Sequence, residues 1–273
     1  MPKERILITV KTYPTLSARY GELVCTAGLR EDGSWIRIYP VPFRSLEEYQ
    51  KFEKYRIIEA HVIRNLKDPR PESHKVDFES LRLTETRLPT TDSWRDRRDW
   101  VLGRGKVYHN LADLITSAND FNQLSIATFK PQRIIAFKAE SQSPAWDEAK
   151  LATLENASRQ ASLFPEWQPR LVTRYIKKLP WKFSYRLEDS VGRESTMMIE
   201  DWEIGALYWR CIREGATAAE AVAKVRYKYF EEFRKKDLHL FLGTTREWHG
   251  RGPNPFVVIG AFYPPIQQQR ELF

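Results

Sequence analysis

The 273-residue sequence has little cysteine. Its two cysteines, Cys25 and Cys211, lie far apart and belong to no Cys-x-x-Cys motif. A disulfide framework needs several cysteines, and a cysteine-based zinc site needs them at short, regular spacing. The sequence therefore argues against both.

Long apolar runs are also missing. No stretch approaches the roughly 20 apolar residues that a membrane-spanning helix needs. The residues after Arg5 form only a short apolar stretch, without the core and cleavage site of a signal peptide. Hydrophobic residues make up 42% of the chain and charged residues 29%, which is typical of a soluble, folded protein. We therefore expect a cytoplasmic protein that does not contact the membrane.

Several motifs that indicate a defined chemistry are absent as well. The five histidines show no His-x3-His spacing, and the chain has neither a Gly-x-Ser-x-Gly nor a Gly-x-Gly-x-x-Gly sequence. The Gly103-Arg-Gly-Lys106 turn lacks the spacing of a phosphate-binding P-loop. The sequence thus predicts no metal and no cofactor.

Basic and aromatic residues, in contrast, are plentiful. The formal net charge is +8, the isoelectric point is about 9.4, and the chain contains nine tryptophans. An excess of positive charge together with many aromatic rings fits a protein that binds a polyanion such as nucleic acid.

One row of side chains in the first third of the chain carries both features. Because residues alternate between the two faces of a strand, Trp35, Arg37 and Tyr39 share one face, and Ile36 and Ile38 share the other. An aromatic–arginine–aromatic row can stack unpaired bases and contact phosphates. The alternative is that the two rings fill a core and Arg37 pairs with an acid.

The surrounding residues predict a small β-barrel. Strand-like alternation covers 6–11, 22–29, 35–39 and 57–64, and Asp32-Gly33 suits a tight hairpin. With a short helix predicted over 45–52, four such strands fit a barrel of the oligonucleotide-binding (OB) type.

The remainder of the chain alternates between helices and strands. Residues 92–106 interleave basic and aromatic side chains, which fits either a grip on a phosphate backbone or a solvated helix. Helices are predicted over 110–118 and 143–160. A hairpin follows over 181–199, then a helix capped by Asp201 and a second one that begins with a capping box at Thr217. The last two strands are predicted over 238–242 and 256–262.

Several of these segments resemble one family. In the first half they are Lys11-Thr-Tyr-Pro14, Gly21-Glu-Leu-Val-Cys-Thr-Ala-Gly28, Trp35-Ile-Arg-Ile-Tyr-Pro-Val-Pro-Phe-Arg44, Asp68-x-Arg70 and Glu72-Ser73. In the second half they are Lys182-Phe-Ser-Tyr-Arg186, Ile199-Glu-Asp-Trp-Glu203, Phe241-Leu-Gly-Thr244 and Ile259-Gly-Ala-Phe-Tyr-Pro264. Together they resemble the prokaryotic dual OB-containing domain family.

The resemblance implies a fold and a class of function. It implies an α+β protein with two OB-like antiparallel barrels and helical insertions. We expect an N-terminal OB-like domain over 1–140 with an appended basic and aromatic segment, and a helical linker with a C-terminal OB-like domain and two helices over 141–273. It also implies a nucleic-acid sensor in bacterial or archaeal genome defence, with other defence proteins as possible partners. Because 189–193 contains no cysteine, a metal clip in the second hairpin is not expected.

We therefore predict a module that binds DNA or RNA, single-stranded or carrying a modified base. The predicted contact residues are Lys11, Tyr13, Trp35, Arg37, Tyr39, Arg44, Arg70, Arg104, Lys106, Lys182, Arg246, Trp248, His249 and Arg251. The last four lie in the loop over 243–254, which is predicted to be mobile and to contact the ligand.

Two other functions stay open at this stage. The first is an enzyme acting on nucleic acid, a nuclease or a base-modifying enzyme, with catalytic carboxylates drawn from Glu22, Asp68, Glu72, Asp201 and Glu203. Because Asp201 is explained as a helix cap and no further catalytic constellation appears, a binding module is favoured. The second is an interaction or scaffold subunit of a defence complex.

Overall fold

The computed structural model describes residues 2–17, 21–41, 46, 51–149, 151–152 and 176–267. Most of the helices predicted over 45–52 and 143–160 falls outside the described residues, and so does Arg44. No helix in the described part of the chain is both long enough and apolar enough to span a membrane.

The first third forms a closed five-stranded barrel with two additional strands. The strands are β1 (Lys3–Lys11), β2 (Thr15–Ser17), β3 (Gly21–Leu29), β4 (Trp35–Val41), β5 (Arg56–Arg64), β6 (Ser73–Val76) and β7 (Arg82–Arg87). They pair in the order β1-β3-β4-β6-β5, and β5 pairs again with β1. All of these pairs are antiparallel except β4–β6. The α+β class and one barrel are confirmed.

Strand alternation fills the interior of this barrel. Ile6 and Ile8 of β1 pack there with Ile36 and Ile38 of β4, and all four are nearly inaccessible to solvent. The predicted two faces of β4 are therefore confirmed. The hairpin from β3 to β4 is confirmed as well, because Gly33 adopts a φ of 81°, which favours glycine.

The second part of the chain contains two further sheets and most of the helices. The elements are β8 (Val107–Tyr108), α2 (Leu111–Asn119), β9 (Ile126–Phe129), β10 (Arg133–Ser141), β11 (Trp181–Glu188), β12 (Glu194–Met198), α3 (Trp202–Arg213), α4 (Ala218–Arg226), β13 (His239–Thr244) and β14 (Phe256–Phe262). The sheets are β10-β11-β12 and β14-β13-β9-β8. Asp201 caps α3, and Thr217 forms a capping box with Glu220, as predicted.

A second closed barrel is not present among the described residues. After β12 the chain makes a single bridge from Ile199 to Val258 of β14 and then enters α3 at Asp201. The two sheets therefore do not join edge to edge into one closed ladder. Their apolar faces and those of α3 and α4 share one core instead.

Between the barrel and this second part lies α1 (Thr91–Arg98), which continues as a π-helical turn over Asp99–Gly103. Its first turn is left-handed, with φ values between 48° and 66° from Asp92 to Trp94. The turn places the Trp94 ring 5.6 Å from Phe262 and 5.2 Å from Tyr263. The segment is thus bound to the end of the second part by aromatic packing rather than being a regular solvated helix.

A second apolar cluster joins the barrel to the β13–β14 pair. Leu7 and Leu29 on the outer face of the barrel pack in this cluster with Phe241 and Phe262. The division predicted at about residue 140 stays a prediction. The four-stranded sheet, however, combines β8 and β9 from before residue 140 with β13 and β14 from after it.

Candidate nucleic-acid interface

A cleft of about 190 Å³ lies where the barrel meets the second part of the chain. We call it the barrel cleft. Its lining comes from the segment after β1, from β3 and β4, from the loop between β5 and β6, and from the ends of β13 and β14. The lining residues are Thr12, Tyr13, Thr15, Cys25, Arg37, Tyr39, Arg70, Glu200, Thr244, Thr245, Arg246, Val257 and Ile259. Five of the predicted contact residues are among them.

Arg37 is the buried cation of this cleft, with only 2% of its surface exposed. Its Nη1 donates to Cys25 Sγ at 3.2 Å, and its Nη2 donates to the carbonyl and hydroxyl oxygens of Ser125 at 3.1 Å each. Nε has no hydrogen-bond partner. Within the described residues, no carboxylate lies within 4.0 Å of the guanidinium, so Arg37 is a buried charge without a direct counter-ion.

Glu72 holds the Ser125 side of this arrangement in place. Its carboxylate accepts hydrogen bonds from the Ser125 amide at 2.8 Å, from the Ser125 hydroxyl, and from the Ile126 amide. These donors occupy the lone pairs that a catalytic base or a metal ligand would need free. Glu72 therefore positions the start of β9 behind Arg37.

Arg70, in contrast, has a counter-ion of its own. Its Nε and Nη2 donate to the two carboxylate oxygens of Asp68 at 2.9 and 2.7 Å, and Nη1 donates to the Thr244 carbonyl. Ser73 donates a further bond to Asp68. Burial raises the pKa of Asp68, but the hydrogen bonds and charge of Arg70 outweigh burial and hold that pKa well below its usual range. The pair is a rigid wall of the cleft.

Two further groups in the cleft lack a protein partner. Among the described residues, neither the Glu200 carboxylate nor the Tyr39 hydroxyl makes a side-chain hydrogen bond. Burial raises the pKa of Glu200, and the charge of Arg37 opposes that rise. Burial also raises the pKa of Tyr39. Both side chains are only partly buried, so water or a ligand in the cleft can supply the missing partners.

Lys11 and Tyr13 join the two parts of the chain. The Tyr13 ring packs directly on Gly205 of α3, its hydroxyl donates to the Lys177 carbonyl at 2.7 Å, and Trp209 Nε1 donates to that hydroxyl at 2.8 Å. Lys11 Nζ donates to the Phe52 carbonyl at 3.2 Å. Burial, together with the charge of Lys54, lowers the pKa of Lys11 to about 8.

The loop over 243–254 contributes three residues to the lining of the cleft, Thr244, Thr245 and Arg246. Arg246 is exposed and donates to the Lys67 carbonyl at 3.1 Å. His249 is buried, with Nδ1 3.0 Å from the Thr244 hydroxyl and Nε2 2.7 Å from Asn122 Oδ1, and burial lowers its pKa. Trp248 and Arg251 are exposed. The predicted mobility and ligand contact of this loop stay predictions.

The exposed aromatic platform predicted on β4 is not what the structure contains. The Trp35 ring meets the Phe241 ring edge-on at 5.2 Å, in the cluster that joins the two parts of the chain. Arg37 is buried and Tyr39 is half-buried. This face of β4 does not meet solvent because the β13–β14 pair and its loops cover it.

The other predicted contact residues lie outside the cleft lining. Arg104 pairs with Asp99 at 2.7 Å and lies over the Trp100 ring at 4.2 Å. Lys106 Nζ lies 4.3 Å from the Tyr108 ring centre, and Lys182 is exposed on β11. Their predicted binding roles stay predictions.

Two of the carboxylates considered for catalysis, Asp201 and Glu203, both contact Lys54. Asp201 caps α3 and accepts a bond from Lys54 Nζ at 2.6 Å, and Glu203 lies 3.4 Å from the same Lys54 Nζ. Glu22 lies on β3, with its side chain outside the described residues. No group of three or more histidine, cysteine or acidic residues in the described ranges could hold a metal ion.

Sequence reasoning missed several parts of the cleft. It did not connect Cys25 and Ser125 with Arg37, and it did not select Glu200. A buried Arg–Cys contact has no spacing signal, because Cys25 and Arg37 lie on different strands and Ser125 directly precedes a third.

Comparisons with known proteins agree with a two-part chain. Residues 2–103 match the family model described as domain of unknown function DUF8758. A chain from a structure of a murine DNA-binding protein bound with double-stranded DNA aligns over 99% of each chain at 7% identity, with a TM-score of 0.30, a similarity too low to inform fold or ligand. A search of curated proteins finds no match. Residues 108–273, more than half of the chain, match the model of domain of unknown function DUF8757, and the chain belongs to that family.

Proposed function

We propose that the protein binds single-stranded nucleic acid, with one nucleotide entering the barrel cleft. The observation that carries this proposal is Arg37, a buried guanidinium without a direct carboxylate partner in the described structure. A buried charge that lacks a counter-ion is costly to the fold. A phosphate in the cleft would supply that counter-ion.

The place of the cleft supports the same function. OB barrels bind oligonucleotides on their second and third strands and on the loops after the first and fourth strands. Counting the five barrel strands in chain order, these correspond here to β3 and β4, to the segment after β1, and to the loop between β5 and β6. Cys25, Arg37, Tyr39 and Arg70 of the lining come from these elements.

The size of the cleft favours a single strand. Its volume of about 190 Å³ is below the roughly 300–1,000 Å³ of sites that enclose a small molecule. The barrel cleft can therefore admit one nucleotide while the rest of the nucleic-acid strand lies outside. A single strand can turn one nucleotide inward at little cost, whereas a duplex must first break pairing and stacking. Tyr39 offers a ring for stacking, and the +8 net charge attracts the backbone.

The setting in which this binding would act is a separate matter. A role in genome defence, and partner proteins of such a system, rest on the sequence resemblance alone and stay predictions. The second OB-like barrel is no part of the present proposal.

The test is the affinity of wild type and of three charge-matched variants for fluorescently labelled single-stranded DNA and RNA, measured by fluorescence anisotropy. Arg37→Met should weaken binding about tenfold or more. It should also reduce the slope of log affinity against log salt concentration by about one, the contribution of a single phosphate contact. Arg213→Met is the matched control, because it removes an exposed arginine of α3 outside the cleft lining, and it should change affinity less than threefold.

A third variant covers the risk that Arg37→Met unfolds the protein. Arg246→Met removes a cation from the exposed rim of the cleft and should weaken binding more than Arg213→Met does. Equal affinities of the Arg246→Met and Arg213→Met variants would refute the cleft as the binding site. Absence of binding to any single strand at low salt would refute the function itself.

A further inference from the structure

A second, larger cleft of about 470 Å³ lies in the other part of the chain, and we call it the basic pocket. It is formed by the turn from β9 to β10, by the segment between the helices and β13, by the end of the described chain, and by one residue of α1. Its lining residues are Arg98, Lys130, Pro131, Gln132, Arg133, Ile134, Phe233, Arg234, Lys236, Asp237, Leu238, Ile266 and Gln267.

The basic pocket carries more positive charge than its acids can neutralise. Asp237 is shared between Arg98 at 2.9 Å and Lys130 at 2.8 Å. Arg133 pairs with Glu188 at 2.7 Å. Arg234 and Lys236 have no carboxylate within 4.0 Å among the described residues. Five cations thus face two carboxylates.

The acid at the centre of the pocket fixes the cations beside it. Burial raises the pKa of Asp237, but its hydrogen bonds with Lys130 and Arg98 outweigh burial and lower that pKa overall. Arg98 also donates to the Pro265 carbonyl. Arg98 and Lys130 are therefore held before any ligand arrives, which reduces the entropy lost on binding.

One side of the pocket is apolar. Ile134, Phe233 and Leu238 are buried core side chains that reach the pocket wall, and Ile266 lies exposed at its edge. A volume of about 470 Å³ falls in the range of sites that enclose a small molecule. Excess cations together with apolar wall residues suit a ligand with several phosphates and one flat, weakly polar group.

We infer that the basic pocket is a binding site for a nucleoside di- or triphosphate. The phosphates would contact Arg234 and Lys236, with Lys130 nearby, and the base would lie against the apolar wall.

This site is separate from the barrel cleft. The barrel cleft contains Thr244 at the end of β13, whereas the basic pocket contains Leu238 just before its start. Six residues at about 3.3 Å each place the two sites about 20 Å apart. Binding at one can therefore be measured with the other disabled.

The test is isothermal titration calorimetry of the full chain with ADP, ATP, GTP, AMP and adenosine, in low salt with EDTA present. Di- and triphosphates should bind at one site per chain, and AMP and adenosine more weakly. Lys236→Gln should weaken ADP binding about tenfold or more, as expected for loss of a charged hydrogen bond. Lys235→Gln is the matched control, because the adjacent, exposed Lys235 does not line the pocket, and it should change the Kd less than twofold.

Two further measurements decide between this site and its rivals. Arg246→Met, which alters the exposed rim of the barrel cleft, should leave ADP affinity unchanged, and a parallel loss there would assign the nucleotide to the barrel cleft. No ADP or ATP binding up to millimolar concentration would overturn the inference, as would equal effects of Lys235→Gln and Lys236→Gln. Displacement of ADP by single-stranded oligonucleotide in the Arg37→Met variant would also overturn it, because the pocket would then be part of a nucleic-acid track.

Discussion

Lys54 and Asp201 form a buried ion pair that connects the barrel part of the chain to α3. Their polar atoms lie 2.6 Å apart, and the side chains are only 7% and 1% exposed. Asp201 Oδ2 also accepts from the Tyr229 hydroxyl at 3.3 Å. Substituting Lys54→Met would keep the apolar stem and remove the charge, which leaves the Asp201 carboxylate buried without its cation.

The expected loss is large because the abandoned charge cannot reach water. Breaking a buried ion pair by removing one partner costs about 3–5 kcal/mol. For a chain of this size each kcal/mol lowers the Tm by about 2–4 °C, so a decrease of roughly 10 °C is expected. The double variant Lys54→Met/Asp201→Asn should regain part of the loss, since asparagine can still cap α3 and carries no charge.

The pH dependence gives the sharper test. Burial raises the pKa of Asp201 even beside Lys54, and without Lys54 that pKa must rise further. A carboxyl whose folded pKa lies above the unfolded value of about 3.9 favours folding in acid and loses that contribution as pH rises through the folded pKa. The deficit of Lys54→Met, measured by urea unfolding, should thus be full at pH 7–8 and smaller near pH 4. A deficit below about 1 kcal/mol, or one independent of pH, would refute this reasoning.

Two further substitutions test the contacts between the parts of the chain. Trp35→Ala should lower the free energy of unfolding by about 3 kcal/mol, because the ring packs against Phe241. The affinity for single strands per folded molecule should stay within twofold. Weaker binding at unchanged stability would instead support an exposed aromatic platform on β4. Gly205→Ala should cost about 1–3 kcal/mol in urea unfolding, because its Cβ would lie 2.3 Å from Tyr13 ring carbons; wild-type stability would contradict this packing.

Local patterns in the sequence predicted most of the individual elements. The alternation on β4 and on β11 follows from a period of two, and the caps at Asp201 and Thr217 from side-chain chemistry within four residues. The sequence could not decide whether a second barrel closes, because closure depends on which distant strands pair. After β12 the chain turns into α3, and no local propensity indicates that this turn leaves the two sheets unjoined.

The candidate site was predictable in part. Arg37, Tyr39, Arg70 and Arg246 were chosen for their residue type, and all four line the barrel cleft. The exposure of Arg37 and Tyr39 was misjudged, because the packing of one part of the chain on the other covers the face of β4 on which they lie. The contact between Arg37 and Cys25 depends on strand register and tertiary packing, which the sequence pattern does not contain.

The most direct test of the barrel cleft as a nucleic-acid site uses the two cysteines as reporters. Cys25 lines the cleft beside Arg37, whereas Cys211 is buried in the core of the second part and serves as an internal control. The rate of Cys25 alkylation by iodoacetamide should fall about tenfold at an oligonucleotide concentration ten times the Kd, and the decrease should follow the binding curve. An unchanged Cys25 rate at saturating single-stranded oligonucleotide would contradict the account, because the strand would then bind elsewhere on the protein.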